Sequence, residues 1–314
     1  MKTFLLMCWC IYLPVTTAFN LLTFDVDGTL VRGLSNSESA HNRAFSMAVG
    51  QVLGDGTPVA SLNEALKKHE YHGSTDGLIL LRLARATLQI EPVTSAPKLP
   101  EMMQAMYDYI STLSDEEVGR NITPLPGVLS NMNQLSTMKD RVSCGLVTGN
   151  VEGIARRKMH AVGIYESGAL APPRADQLDR TWEGAEEIGF LGGFGSDYCS
   201  GDIDTVERNY LDRAEQIAIA TNRFQGGLLS SSPQRKTLRR VVHIGDAPSD
   251  VLAAKAFSES ELADTENFCV GMVAVATGSF SADELQELFG ETKPGRWEPV
   301  VLEDGMGDPN FLEA

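Results

Sequence analysis

Cysteine and positive charge are both scarce in this chain. Five cysteines occur in 314 residues, and two of them, Cys8 and Cys10, fall at the extreme N-terminus. The other three, Cys144, Cys199 and Cys269, are an odd number without metal-ligand spacing, so no disulfide framework is indicated. Cys144 and Cys269 sit in apolar, strand-like runs and read as core residues. Lysine and arginine total 26 against 42 acids, a formal net charge of −16. That balance argues against a nucleic-acid partner, because phosphate backbones select basic surfaces. A small anion remains admissible, since a few cations, backbone N–H groups or a metal reverse the field locally. Beyond the N-terminus no run is long and apolar enough to span a bilayer, so no stable membrane association is expected. Neither an internal repeat nor a long low-complexity tract is present. The hydrophobic share of 43% is ample for a core, and the length suits one large domain or two ordinary ones.

The N-terminus differs from the rest. Lys2 precedes the apolar stretch from Phe4 to Leu13, and Pro14-Val15-Thr16-Thr17-Ala18 follows. A basic start, an apolar stretch and a small residue at its end predict a secretory signal peptide over 1–18, with cleavage before Phe19. The chain is expected in the secretory pathway or outside the cell. Ala18-Phe19 also resembles the cleavage site of proteins imported into algal plastids, although the first strand follows with no room for a transit peptide. A cytoplasmic protein with a misassigned start is the third option. Asn121-Ile122-Thr123 is a glycosylation sequon weakened by Pro124.

Strand-like runs occur at 20–25, 142–148, 241–245, 270–276 and 299–302, and the middle three are rich in Val and Ile. Helical patterns at 151–162, 205–221, 249–257 and 281–289 separate them. Alternation of helices with continuous apolar strands predicts an α/β fold with a doubly wound parallel sheet. Residues 34–118 contain no strand run. Segments 36–53, 58–70, 75–89 and 98–117 read as helices, and Leu78, Ile79, Leu80, Leu81, Leu83 and Leu88 give one of them a strong apolar face. This predicts a helical domain over 34–118 inserted in a core domain of 19–33 and 119–314, placed over the C-terminal strand ends where ligands bind. Residues 171–195, with Pro172-Pro173 and a glycine-rich end, and residues 225–237 read as surface loops without an assigned role.

Three stretches carry chemistry. The first is Phe24-Asp25-Val26-Asp27-Gly28-Thr29-Leu30, where a buried strand ends in two carboxylates spaced i, i+2. Such acids repel unless a cation or proton lies between them, so the arrangement suggests a metal site with one acid left for chemistry. Asp-Gly is also an ordinary turn pair. The second is Leu146-Val147-Thr148-Gly149-Asn150, where a hydroxyl and two N–H groups stand at a helix start that favours anions. A Thr/Asn helix cap has the same appearance. The third is Val241-Val242-His243-Ile244-Gly245-Asp246-Ala247-Pro248-Ser249-Asp250, a strand ending in an acid with a second acid four residues on.

In order and placement these stretches resemble the motifs of the haloacid dehalogenase (HAD) superfamily of phosphatases, over about residues 20–305. The resemblance implies a Rossmann-like core with an α-helical cap of the C1 type. It makes Asp25 the nucleophile that forms an aspartyl-phosphate, Asp27 the general acid and base, and Thr148 a donor to a phosphoryl oxygen. Gly28, Thr29, Gly149 and Asn150 would bind phosphate. Asp25, the main-chain carbonyl of Asp27, Asp246 and Asp250 would form an oxygen-only site that suits Mg²⁺ better than zinc. The family also requires a cation near the phosphate. Arg208 is the first choice for it, from the resemblance of Ser196-Asp197 and the segment 205–213 to a family branch with GFGSD and an arginine-led helix. Arg213 and Lys236 are the alternatives. In the cap, His72-Gly73-Ser74-Thr75-Asp76 resembles the G-x-T-D turn of phosphoglycolate-phosphatase-like enzymes, which would put Thr75 and Asp76 at the substrate. The remaining histidines read as core or surface residues, and Arg43 as a surface arginine.

The implied activity is Mg²⁺-dependent hydrolysis of a small phosphate monoester, phosphoglycolate-like by analogy. A sugar-phosphate mutase uses the same acids, and a non-catalytic binding protein on this fold is the alternative of another class. A dehalogenase does not need Asp27, and a phosphonatase needs a cap lysine, for which Lys67 and Lys68 sit in a charged helix. Oligomeric state is not addressed by the sequence. The shared expectation is convergence of the three stretches at one sheet edge.

Overall fold

The computed structural model describes residues 18–33, 39–67, 71, 73–170, 191–231 and 237–314. The signal-like segment before Ala18, the tract 171–190 with Pro172, Pro173 and Trp182, and Lys68, His72 and Lys236 lie outside the described residues.

The first strand, β1 (Ala18–Phe24), starts two residues earlier than its apolar run suggests. Its side chains alternate: Phe19 and Leu21 enter one core, Leu22 and Phe24 the other. Phe19 is buried and its ring lies 6.2 Å from that of Phe224. Cleavage after Ala18 would therefore leave an N-terminal residue already anchored in the sheet. A short strand β2 (Val31–Gly33) follows. The helical insertion comprises α1 (Ala40–Leu53), α2 (Leu62–Ala65), α3 (Asp76–Leu88), α4 (Pro92–Ser95), α5 (Leu99–Ser111) and α6 (Asp115–Gly119). The chain returns through β3 (Ile122–Pro124), which pairs antiparallel with β2, so a two-stranded ribbon joins the cap to the core. Then come α7 (Val128–Ser136), β4 (Val142–Thr148), α8 (Glu152–Ala161), β5 (Gly192–Phe194), α9 (Asn209–Ser231) and β6 (Thr237–Gly245). The chain continues with α10 (Pro248–Ser258), α11 (Glu261–Glu266), β7 (Cys269–Val275), α12 (Ala282–Glu287) and β8 (Trp297–Leu302).

The main sheet has the order β5-β4-β1-β6-β7-β8 and every pairing in it is parallel. Strand order reverses at β1, which places a crevice beyond the C-terminal ends of β4, β1 and β6. One face packs Phe24, Leu146, Ile244 and Val273 against Val128, Met132 and Met159 from α7 and α8. The other packs Leu21, Val241, Val270 and Met272 against Ile217, Val251 and Phe257 from α9 and α10. The cap has its own core, with Phe45, Val49, Leu78, Leu80, Leu81, Leu83, Met102, Met106 and Ile110 buried together, and Val151, Ile154 and Ile203 join it from the sheet side. Burial of each such side chain contributes about 1.5–3 kcal/mol, so the cap is packed onto the core rather than tethered.

Several sequence expectations change. Within the described part of the helix expected over 58–70, α2 ends where Leu66 adopts extended backbone. The helix expected over 98–117 breaks at Ser114, whose side chain and that of Glu117 form a capping box that starts α6. The glycine-rich end of 171–195 is not all loop: Gly192–Phe194 form the edge strand β5, hidden from the sequence by the low strand propensity of glycine. Much of 225–237 is likewise regular, because α9 runs on to Ser231.

Candidate active site

The crevice holds a cavity of about 260 Å³ between sheet edge and cap. Asp25, Asp27, Thr148, Gly149, Asn150, Arg213 and Asp246 line it from the core. The cap and its ribbon contribute His41, Asn42, Phe45, Leu62, Tyr71, Ile79, Asn121 and Ile122. The sequon asparagine therefore faces the crevice.

Three carboxylates meet at its floor. Asp25, Asp246 and Asp250 are buried, and one oxygen from each lies within 4.8 Å of the others. The sheet register causes this, since β1 and β6 run parallel side by side and both end here. Burial pushes Asp25 up, Arg213 opposes that, and neighbouring Asp250 adds to it, leaving Asp25 above its ordinary value. Asp246 is raised further by burial and by the charges of Asp25 and Asp250. Asp250 is depressed: burial is outweighed by Arg213 and by His243, whose Nε2 lies 3.3 Å from Oδ1. An all-oxygen, buried, mutually repelling donor set fits a hard divalent cation. The Asp27 carboxylate stands outside this cluster and is held elsewhere.

Asp246 is itself braced. The Thr29 hydroxyl donates to its Oδ1 at 3.2 Å. Gly28, with φ +94°, turns the chain beneath it, and any Cβ there would overlap the Asp246 carboxylate. Gly28 and Thr29 thus position a carboxylate in this structure, and neither lines the cavity. Thr277 Oγ1 donates to the Gly28 carbonyl at 2.6 Å, and Gly278 lies against Asp246.

The cation beside Asp25 is Arg213, not Arg208. Arg213 Nη1 donates to Asp25 Oδ1 at 2.6 Å and to the Val147 carbonyl at 3.0 Å, and it lies 3.3 Å from Asp250 Oδ1. Arg208 ends a 3-10 turn ahead of α9, is exposed, and borders a separate surface hollow with Tyr198 and Asp202. The reason is the step from that 3-10 turn into α9: the two arginines are five positions apart across it and project in different directions. The GFGSD stretch is a staple rather than part of the crevice. Asp197 accepts from Phe194 N at 3.0 Å and from Arg223 Nη2 at 2.7 Å, and Ser196 Oγ accepts from Glu152 N at 3.2 Å.

Thr148 is fully buried at the tip of β4 and borders the cavity. Asn150 directs Nδ2 to Asp27 Oδ2 at 3.0 Å. Gly149 is covered by the cap: its carbonyl accepts from Asp76 N at 2.7 Å, and a Cβ on it would come within 2.6 Å of the Ser74 carbonyl. Thr75 does not face the cavity. It is buried, and its hydroxyl caps α3 by accepting from Leu78 N at 3.4 Å. The Asp76 carboxylate borders the cavity but is occupied, accepting from Val151 N at 2.8 Å and pairing with His41 Nε2 at 3.0 Å. Arg43 is exposed outside the crevice.

Two residues that the sequence did not single out belong to the site. Lys158 Nζ donates to Asp27 at 2.7 and 2.8 Å and to Asn150 Oδ1 at 2.7 Å, and it lies 3.0 Å from His41 Nδ1. Burial pushes the Asp27 carboxyl up, but the charge of Lys158 and the hydrogen bonds from Lys158 and Asn150 outweigh it and bring it to about 2. A signal existed: Lys158 is in phase with Ile154 and Ala155 on the buried face of α8, whereas Arg157 is not. A lysine on an apolar stripe needs a buried acceptor.

No family model matches the chain, and no curated protein matches it. Solved structures similar to it include CbbY from Rhodobacter sphaeroides in complex with phosphate, at 16% identity over 92% of this chain and 95% of that one, with a TM-score of 0.45. A protein provisionally assigned as a phosphoglycolate phosphatase from Lactobacillus delbrueckii subsp. bulgaricus matches at 15% identity over 90% and 94%, with a TM-score of 0.42. L-2-haloacid dehalogenase from Xanthobacter autotrophicus matches at 14% identity over 94% and 98%, with a TM-score of 0.36. The functional reading below rests on the residues of this chain.

Proposed function

We propose that this chain is a Mg²⁺-dependent phosphatase of the HAD type that hydrolyses small phosphate monoesters through an aspartyl-phosphate on Asp25. The observation that carries the reading is the joint placement of Asp25, Asp246, Asp250 and Arg213 at the floor of a cavity of about 260 Å³. Asp25, Asp246 and Asp250 would hold the cation, with the main-chain carbonyl of Asp27 as a further ligand. When bound, the ion neutralises the acid cluster and polarises the phosphoryl group. Arg213 fixes the Asp25 carboxylate for attack on phosphorus. As the Asp25–phosphorus bond forms, the ester P–O bond breaks, and Asp27 gives its proton to the departing alkoxide. Asp27 is a carboxylate in the substrate-free site, and the dianionic phosphate of an incoming ester raises its proton affinity, because like charge disfavours ionisation. Water then attacks the aspartyl-phosphate, Asp27 takes a proton from it, and Asp25 is freed with inorganic phosphate. Thr148 offers a hydroxyl to a phosphoryl oxygen. The cap wall of Asn42, Phe45, Leu62 and Ile79 suits a small leaving group such as that of phosphoglycolate and keeps bulk water from the first step.

The test is hydrolysis of p-nitrophenyl phosphate with and without Mg²⁺, for the wild-type chain and for Asp25→Asn. Turnover that needs the metal and is abolished by the substitution is expected. Equal rates for the two proteins would remove Asp25 as nucleophile and with it this reading.

A further inference from the structure

We propose that Lys158 is the positioning residue for Asp27, and that His41 is the acceptor in the cap that holds the Lys158 ammonium in place. The inference rests on the phosphatase reading, because it concerns the acid and base of that reaction. An ammonium has three N–H donors and no acceptor. Lys158 meets three acceptor groups, the Asp27 carboxylate at 2.7 and 2.8 Å, Asn150 Oδ1 at 2.7 Å and His41 Nδ1 at 3.0 Å. Its side chain is only 4% exposed, so no donor is left over for a substrate. Lys158 thus acts through Asp27 rather than on the ester.

Half of the Asp27 side chain faces the open crevice, and the groups that orient its carboxylate are Lys158 and Asn150. Lys158 also holds Asn150, so one ammonium sets both. Since a lysine can only donate, His41 Nδ1 accepts, which places the ring proton on Nε2, where it donates to Asp76 Oδ2 at 3.0 Å. Asp76 accepts from Val151 N at 2.8 Å, and its own N–H donates to the Gly149 carbonyl at 2.7 Å. The chain of bonds therefore runs from Asp27 in the core through Lys158 to His41 and Asp76 in the cap and back to the strand-tip turn that carries Thr148. Without the His41 acceptor a buried ammonium would keep an unpaired donor, which is costly unless another partner replaces it.

The experiment compares kcat/KM for p-nitrophenyl phosphate with that for a simple alkyl phosphate. Nitrophenolate leaves without protonation, whereas an alkoxide needs the proton from Asp27. For Lys158→Met, kcat/KM toward the alkyl phosphate is expected to fall by about 100-fold, the scale of general acid catalysis. The fall in kcat/KM toward p-nitrophenyl phosphate is expected to stay below about 3-fold, because kcat/KM reports the step that breaks the ester bond and not the later hydrolysis of the aspartyl-phosphate, which Asp27 serves for both esters. His41→Phe keeps an aromatic ring beside Phe45, whose centroid lies 4.9 Å away, while removing the acceptor. It is expected to show the same preference at about 10-fold, and it decides the matter if Lys158→Met does not fold. Equal losses on both esters, or no loss on either, would overturn the proposal while leaving the phosphatase reading intact. A wild-type chain that hydrolyses neither ester would remove both.

Discussion

Replacing Arg213 by methionine keeps the length and apolar stem of the side chain and deletes its charge. The structure sets the scale of the effect. Arg213 is buried, donates to Asp25 Oδ1 at 2.6 Å, and stands 3.3 Å from Asp250 Oδ1, with Asp246 close behind. Among the described residues it is the cation that touches the clustered acids. Breaking a buried ion pair by removing one partner typically costs about 3–5 kcal/mol. At roughly 2 °C per kcal/mol for a chain of this size, the metal-free variant should melt about 6–10 °C lower. Saturating Mg²⁺ should recover part of that loss, because the cation takes over some of the neutralisation. Phosphatase turnover should fall by at least about 100-fold, the typical effect of deleting a group aimed at developing charge. Arg208→Ala, at an exposed position outside the crevice, should stay within about 0.5 kcal/mol of wild type. The assay is calorimetry or fluorescence melting of both variants in EDTA and in Mg²⁺, alongside p-nitrophenyl phosphate turnover. If Arg208→Ala were the more damaging of the two, the assignment of the phosphate-side cation to Arg213 would be refuted.

Asp246→Asn should stabilise the metal-free protein while abolishing stabilisation by Mg²⁺, because it removes a charge from a cluster that already holds Asp25 and Asp250. Since Asp246 is raised by burial and by those neighbours, the folded chain keeps a proton that the unfolded chain has lost. Stability in EDTA should therefore decline as pH rises above the ordinary carboxylate value, and the Mg²⁺-induced rise in Tm should grow over the same range. At 100 times its Kd the ion would add about 2.7 kcal/mol, and a metal effect independent of pH would count against proton displacement at this residue. Gly278→Val should weaken Mg²⁺ binding measured by calorimetry, since even a Cβ at that position overlaps the Asp246 carboxylate and forces it to move. Unchanged affinity would show that Asp246 can adjust without leaving the site. Thr75→Ala should cost about 1 kcal/mol through loss of the α3 cap and leave KM unaltered. A raised KM with unchanged stability would restore Thr75 as a substrate contact.

The doubly wound sheet and the inserted helices were legible in the sequence because their signals are local. Each of the runs 142–148 and 270–276 is mostly apolar with several valines or a valine–threonine end, without the polar alternation of a half-exposed strand, which is what burial on both faces demands. Asp25 and Asp27 at one strand tip, with Asp246 and Asp250 beyond another, announced a need for compensating charge, and the fold gathers Asp25, Asp246 and Asp250 together while Lys158 holds Asp27 apart. What the linear chain could not decide was direction. Arg208 ends a 3-10 turn and Arg213 lies in the first turns of the helix that follows, and only the packing of that helix against β4 and β5 turns Arg213 inward and leaves Arg208 to solvent. Thr75 and Asp76 read alike as polar residues at a helix start, yet one caps its own backbone and the other joins the cap to Val151. Lys158 and His41 lie 117 positions apart, and neither is unusual until the packing of cap on core brings them within 3.0 Å. Local residue type fixes which elements form and which charges need partners. Which partner each charge finds is set by register and helical phase across long sequence separations, and those quantities exist only in the folded chain.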